Sequence, residues 1–306
     1  MKKLFIALIL IIYAYTVCGN INIINSNRTK ATNTGLDYLD VVYKKTGNKE
    51  LLLDLYPPTD RLFEKAPLIV YFHGGAWTLG DKQTDMKALD GLFKTLRAKG
   101  YAVASVDYRL LSFNARFPAC IEDCTDAIRY LAANAREYGL DAERIATMGS
   151  SAGGHLALLA GLDGGAYVTN DRTDYSVRCV VDLFGPTAFV DLDNIGIVKC
   201  LATDIFFGFG ASNQIYILAS PLFNINRHSP PIFIVHGERD SVVNIKHSQL
   251  LYERAVALGI DADFIAVGNA EHGLTNADPN KPLTPTMKEI CIRIVSFIEK
   301  NMGQAN

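Results

Sequence analysis

From residue 37 onward, short apolar runs alternate with segments whose apolar residues recur every three or four positions. The first pattern predicts buried strands and the second amphipathic helices. "YLDVVYKK" and "KELLLDLYPP" flank Thr46-Gly47-Asn48 and predict a hairpin, which Pro57-Pro58 ends. "PLIVYFHGG" predicts a strand and residues 84–99 a helix closed by Gly100. The strand "YAVASVDYRL", a helix over 118–138 with Pro118 in its first turn, the strand "RIATMGS" and a helix over 152–162 follow. Then come the strands "RCVVDLFGP" and "PIFIVHGE", a helix over 246–258 closed by Gly259, the strand "ADFIAVG" and a last helix over 285–301. This alternation predicts an α/β fold: a mostly parallel central sheet with helices on both faces. In such sheets ligands bind beyond the carboxyl ends of the strands, so residues directly after strands carry the interest.

The opening stretch "MKKLFIALILIIYAYTVCGN" has another character. Lys2 and Lys3 precede an apolar run from Leu4 to Tyr15, and Val17 and Gly19 suit a cleavage site before Asn20. A run of twelve is short for a bilayer span of about 20 residues. Residues 1–19 are therefore expected to be a secretory signal peptide rather than a retained anchor, and the mature protein to be secreted or periplasmic with no stable membrane span. Residues 20–36, rich in Asn, Ser and Thr, are expected to form a flexible leader, and 37–302 the α/β domain, with an insertion over about 187–220.

Composition adds exclusions. The formal charge of -2 on 306 residues leaves no basic stripe for nucleic acid. Cys120, Cys124, Cys179, Cys200 and Cys291 would remain after export, an odd number, so at least one lacks a partner within the chain. Cys179 and Cys200 are one available pair. Cys120 and Cys124, one helical turn apart, read as small apolar side chains on a buried face. The cysteine spacing fits no metal motif.

The candidate chemistry centres on Gly149-Ser150-Ser151-Ala152-Gly153, a G-x-S-x-G between a strand and a helix. A side chain displayed on so sharp a turn needs residues two before and two after it that have almost no side chain. Gly149 and Gly153 meet that need, Ser151 takes the displayed position and Ser150 is filler. The Ala152 N–H at the start of the new helix is available to a developing oxyanion. The loop His73-Gly74-Gly75-Ala76-Trp77 would supply the other donors, its glycines bringing backbone N–H groups to a cleft. A serine needs a base, and the base a group that holds its tautomer. His272 in "GNAEHGL" follows the last predicted strand and is the leading base. His73 and His236 read as buried ties between loop and sheet, His155 as a packing residue, and His228 and His247 as surface or loop residues. Asp240 in "HGERDSVV" leads for the orienting acid, with Glu238 second and Asp182 third.

These segments, with "VASVDYRL", "FPACIEDCTDAIRYL", "MGSSAGGHLALL" and "SPPIFIVHGERDSVV", stand in an order and spacing that resembles α/β-hydrolase fold carboxylesterases. The chain is similar to the hormone-sensitive-lipase-like esterases and the secreted feruloyl and acetyl-xylan esterase-like proteins. The resemblance covers about residues 40–300. It implies Ser151 as nucleophile, Asp240 as acid, His272 as base, and Gly74, Gly75 and Ala152 as oxyanion donors. It implies no cofactor or metal, and a small-molecule or polysaccharide ester as substrate. Ala76 stands where many such proteins have a third glycine. A serine peptidase or a non-catalytic binding protein can share the fold, but the candidate triad here is complete. Phe189, Phe206, Phe207, Phe209 and Tyr216 in the insertion would either wall an acyl pocket or pack among themselves. Trp77, the single tryptophan, is expected to pack under its loop rather than stack a sugar.

Overall fold

The hairpin forms as its turn residues require. Strands β1 (Tyr38–Thr46) and β2 (Lys49–Tyr56) pair antiparallel around Gly47, whose φ is +57°. The computed structural model describes residues 37–111, 115–162, 175–190, 207 and 212–303. The expected signal peptide and leader, Cys200, Phe206 and Phe209, and most of the expected insertion lie outside the described residues.

The chain continues through β3 (Ala66–Phe72), α1 (Asp90–Ala98), β4 (Ala102–Val106), α2 (Ala119–Ala133), the single turn α3 (Ala135–Tyr138), β5 (Leu140–Ser150) and α4 (Ala152–Gly161). After β6 (Val177–Leu183) come the short helices α5 (Asn213–Leu218) and α6 (Pro221–Asn224). Then follow β7 (Ile232–Gly237), α7 (Lys246–Ala257), β8 (Ala262–Val267) and α8 (Met287–Met302). The eight strands form one sheet in the order β1-β2-β4-β3-β5-β6-β7-β8. Every pairing from β4 through β8 is parallel, and β2 joins β4 antiparallel.

The strands are apolar throughout because both faces are covered. On β3, Leu68, Val70 and Phe72 point into one core layer, with Cys120, Ile121, Cys124 and Ile128 of α2. Ile69 and Tyr71 point into the other, with Leu92 and Leu96 of α1 and Ile294 and Ile298 of α8. Cys120, Cys124 and Cys179 are buried free thiols.

Three predicted boundaries shift. The helix expected over 84–99 begins only at Asp90, because Asp85 takes a left-handed φ of +69° and its side chain turns inward. The helix expected over 118–138 is interrupted at Asn134, whose side chain donates to the Tyr130 carbonyl. The last helix starts at Met287, where Thr286 and Glu289 form a capping box. The parallel strands end in register: Phe72 lies beside Gly149, Ser150 beside Leu183, and Leu183 beside Val235. The loops that follow β3, β5, β6, β7 and β8 therefore gather along one edge of the sheet.

Candidate active site

The turn after β5 is built as the sequence demands. Ser151 sits at φ +51° and ψ −118°, a conformation rare for an L-residue. A Cβ on Gly149 would overlap the Gly153 carbonyl, and one on Gly153 would overlap the Phe72 carbonyl. Nothing larger than glycine fits either position. Ser150 is buried, and its Oγ donates to Asp85 Oδ2 at 2.6 Å, away from the cleft.

Three loops meet at Ser151. Its Oγ stands 2.9 Å from His272 Nε2, and His272 Nδ1 stands 2.7 Å from Asp240 Oδ2. The carboxylate can only accept, so Nδ1 carries the proton and Nε2 is left to accept from the serine hydroxyl. Asp240 is enclosed. Its Oδ1 accepts the N–H groups of Val242 and Val243 at 2.8 Å each, and Oδ2 also faces His236 Nε2 at 3.2 Å. Burial alone would raise the Asp240 pKa. Hydrogen bonds from His236 and His272 outweigh burial and hold it well below the usual carboxylate range. Glu271 staples the two loops, its Oε2 accepting from Ser241 N at 3.0 Å and Ser241 Oγ at 2.8 Å. The Phe184 ring stands edge-on to His272 with centroids 5.0 Å apart.

The loop after β3 winds through successive left-handed residues, Gly75 (φ +122°), Ala76 (+49°) and Trp77 (+59°), and Thr78 and Leu79 return their N–H groups to the Gly75 carbonyl. The expectation that Gly74 donates to an oxyanion is corrected here. Its N–H is already bound to Asp85 Oδ2 at 3.0 Å. The N–H groups of Gly75, Ala76 and Ala152 have no acceptor among the described residues. Ala76 thus joins the expected Gly75 and Ala152 as a free donor, and it does so although it is not glycine.

The other candidates fall outside this cluster. Glu238 is exposed. His73 is buried against Gly74 O and Tyr108, and His236 against Ser248 Oγ and Val243 O, each tying a loop to the sheet. His236 Nε2 faces only acceptors and so carries its proton. The sequence did not reveal that one of those acceptors is Asp240. His155 is buried, accepting from Trp77 Nε1 at 3.2 Å and donating Nε2–H to the Ala219 carbonyl at 2.7 Å. Burial drives its pKa down to about 4. Trp77 is likewise buried. His228 is exposed as expected, but His247 is not a surface residue. It is buried, its Nδ1 accepting from the N–H groups of Thr187 and Ala188, and burial lowers its pKa to about 4. In the expected insertion, Phe189 and Phe207 are buried against each other, and Tyr216 packs on Phe207.

Asp182 lies on β6 outside the triad cluster and is fully buried. Its Oδ1 accepts the Gly185 N–H, and Oδ2 has no partner among the described residues. Burial pushes its pKa up to about 7, against the opposing pull of His236. The folded state thus binds a proton that an unfolded chain, with Asp near 3.9, releases. Stability contributed by this group is present below about pH 4 and is lost as pH rises to about 7. Relative to Asp182→Asn, the wild type is expected to lose on the order of 4 kcal/mol across that window, read by urea unfolding at pH 4.5, 6 and 7.5. Parallel pH dependence in the two proteins would reject the assignment.

Residues 53–255 match the family model described as BD-FAE. Esterase LipC of Mycobacterium tuberculosis is 29% identical over 244 residues, which cover 74% of this chain and 58% of LipC. The chain thus spans less than two thirds of that relative. A truncated carbohydrate esterase from gut microbiota superposes with a TM-score of 0.71 at 24% identity, covering 90% of this chain and 99% of its own. A bifunctional GH43-CE protein of Bacteroides eggerthii superposes with a TM-score of 0.71 at 28% identity, covering 89% of this chain and 39% of its own. The fold shared with the solved neighbours is that of the α/β-hydrolases.

Proposed function

The chain belongs to the BD-FAE family, and from that premise we propose that it is a serine carboxylic ester hydrolase for short acyl or feruloyl esters, including those borne by plant polysaccharide. The observation that carries the reading is the unbroken relay from Ser151 Oγ to His272 to Asp240, at 2.9 and 2.7 Å. His272 accepts the Ser151 proton as the oxygen attacks the ester carbonyl. Charge gathers on the carbonyl oxygen, where the N–H groups of Gly75, Ala76 and Ala152 are free to receive it. One such donor is worth about 3 kcal/mol of barrier. His272 then returns the proton to the leaving alcohol, and water repeats the sequence on the acyl-enzyme. The carbohydrate esterase among the structural neighbours and the esterase name of LipC support this class of substrate. The purified protein should be offered p-nitrophenyl esters, methyl ferulate, acetylated xylan and a dipeptide amide. Cleavage of the amide without the esters would overturn the reading.

The acyl side is expected to be short. Phe184 stands against His272, and Phe189 packs its ring against those of Trp77, His155 and Phe207. A tunnel would add about 0.8 kcal/mol of binding for each further buried methylene. Catalytic efficiency on p-nitrophenyl esters from acetate to palmitate is therefore expected to peak between acetyl and butyryl. A peak at about ten carbons or beyond, the trend such a tunnel would produce, would overturn the short pocket.

A further inference from the structure

The loop after β3 has no side chain at Gly74 or Gly75 with which to grip the rest of the site. Trp77, further along the loop, ties it to His155 of α4, and the tie at the glycines themselves comes from eleven residues further on. Asp85 Oδ2 accepts the Gly74 N–H at 3.0 Å, the Ser150 hydroxyl at 2.6 Å and approaches the Tyr71 hydroxyl at 3.0 Å. Tyr71 is fully buried on β3, and its hydroxyl also lies 3.0 Å from Ser150 Oγ. Burial, reinforced by the Asp85 charge, pushes its phenol well up, so it stays a neutral donor. One carboxylate oxygen therefore joins the strand, the loop and the filler residue of the elbow. To reach that point Asp85 adopts φ +69° and forfeits the helix that the sequence pattern around it favours.

We propose that Asp85 is a positioning residue for ester hydrolysis: its Oδ2 clamps the Gly74 amide to the elbow and so aims the Gly75 and Ala76 N–H groups at the carbonyl oxygen attacked by Ser151. The inference rests on the reading of Ser151 as nucleophile. Peptide planes are rigid, so fixing the Gly74 amide restrains the next two amides to a few soft torsions. A misplacement of about 1 Å at a catalytic donor is enough to lose about 10²-fold in rate. The clamp also decides which amides are left over, since it occupies Gly74 and spares Gly75 and Ala76.

The test compares wild type, Asp85→Asn and Asp85→Ala by kcat, KM and pH profile on p-nitrophenyl acetate, with fluorophosphonate labelling and peptide mapping of each. Asp85→Ala is expected to lower kcat by about 10²-fold. Asp85→Asn keeps an acceptor oxygen without the charge, and should lose about tenfold. KM should stay within about threefold and the acid limb of the pH profile should not move, because the clamp does not touch His272. The label should still map to Ser151, at a reduced rate. Unchanged kcat, a loss confined to KM, or a displaced acid limb would each overturn the proposal. If Asp85→Ala does not fold, Asp85→Asn decides by the same criteria. Failure of wild type to label at Ser151 would instead overturn the nucleophile assignment itself, and the two failures are separable on the same peptide map.

Discussion

Replacing Ser151 with alanine is expected to lower kcat for ester hydrolysis by about 10⁶-fold, while Ser150→Ala loses no more than about tenfold, the cost of cutting the link from Asp85 to the elbow. The two serines are neighbours in the chain and share a glycine-flanked turn, yet their surroundings separate them. Ser151 stands at the apex of the elbow with its Oγ 2.9 Å from the unprotonated nitrogen of His272. Ser150 is buried, and its hydroxyl faces Asp85 and Tyr71 on the opposite side of the turn. Its removal takes one donor from Asp85 and leaves the Gly74 bond in place. Steady-state kinetics on p-nitrophenyl acetate and mapping of a fluorophosphonate adduct decide the matter. Wild-type turnover by Ser151→Ala, or an adduct on Ser150, would sink the assignment.

Much of this arrangement was legible in the sequence because it depends on local rules. The apolar runs mark strands covered on both faces, and β3 shows it by dividing Leu68 and Ile69 between two core layers. Gly149 and Gly153 announce the elbow because carbonyls crowd both positions. Asp240 follows the β7 strand and stands between Ser151 and His272 in the chain, and the structure adds that its Oδ1 catches the N–H groups two and three residues on. What escaped was set by partners far along the chain. Nothing local distinguishes the Gly74 amide from that of Gly75. Asp85 makes the difference, and the same tertiary demand removes the first turns of the helix expected over 84–99. His247 lies among polar residues of α7 and reads as exposed, but the Thr187 and Ala188 N–H groups, some 60 residues away, require an acceptor there. The link between His236 and Asp240 is hidden for a related reason. Their i,i+4 spacing has no helical meaning at a strand end, and only the fold of the β7 loop turns the carboxylate back.

That link shapes the expected behaviour of Asp240→Asn, which should lower kcat by about 10⁴-fold and also destabilise the protein. The two oxygens of Asp240 have different tasks. Oδ1 is held by two backbone donors, Val242 and Val243, and Oδ2 faces His272 and His236. An asparagine must keep its carbonyl oxygen on the Val242 and Val243 side, since an NH₂ there would meet two N–H groups. Its NH₂ then falls where Oδ2 was, against the Nδ1–H of His272. His272 can answer only by moving its proton to Nε2. That tautomer accepts from the asparagine and donates toward Ser151, so it cannot take the serine proton. His236 cannot relieve the conflict, because its Nε2–H is also held by the Val243 carbonyl at 2.8 Å. Leaving a buried donor unpaired costs about 1–3 kcal/mol, so the melting temperature should fall along with the rate. Asp240→Ala removes both oxygens without supplying the wrong donor. It should retain more activity than Asp240→Asn once water can enter beside His272, a rank order opposite to that expected from size alone. Kinetics on the two variants, with an NMR assignment of the His272 ring protons, would test the tautomer directly. An Asp240→Asn protein that kept its proton on Nδ1 and its wild-type rate would show that the acid lies elsewhere.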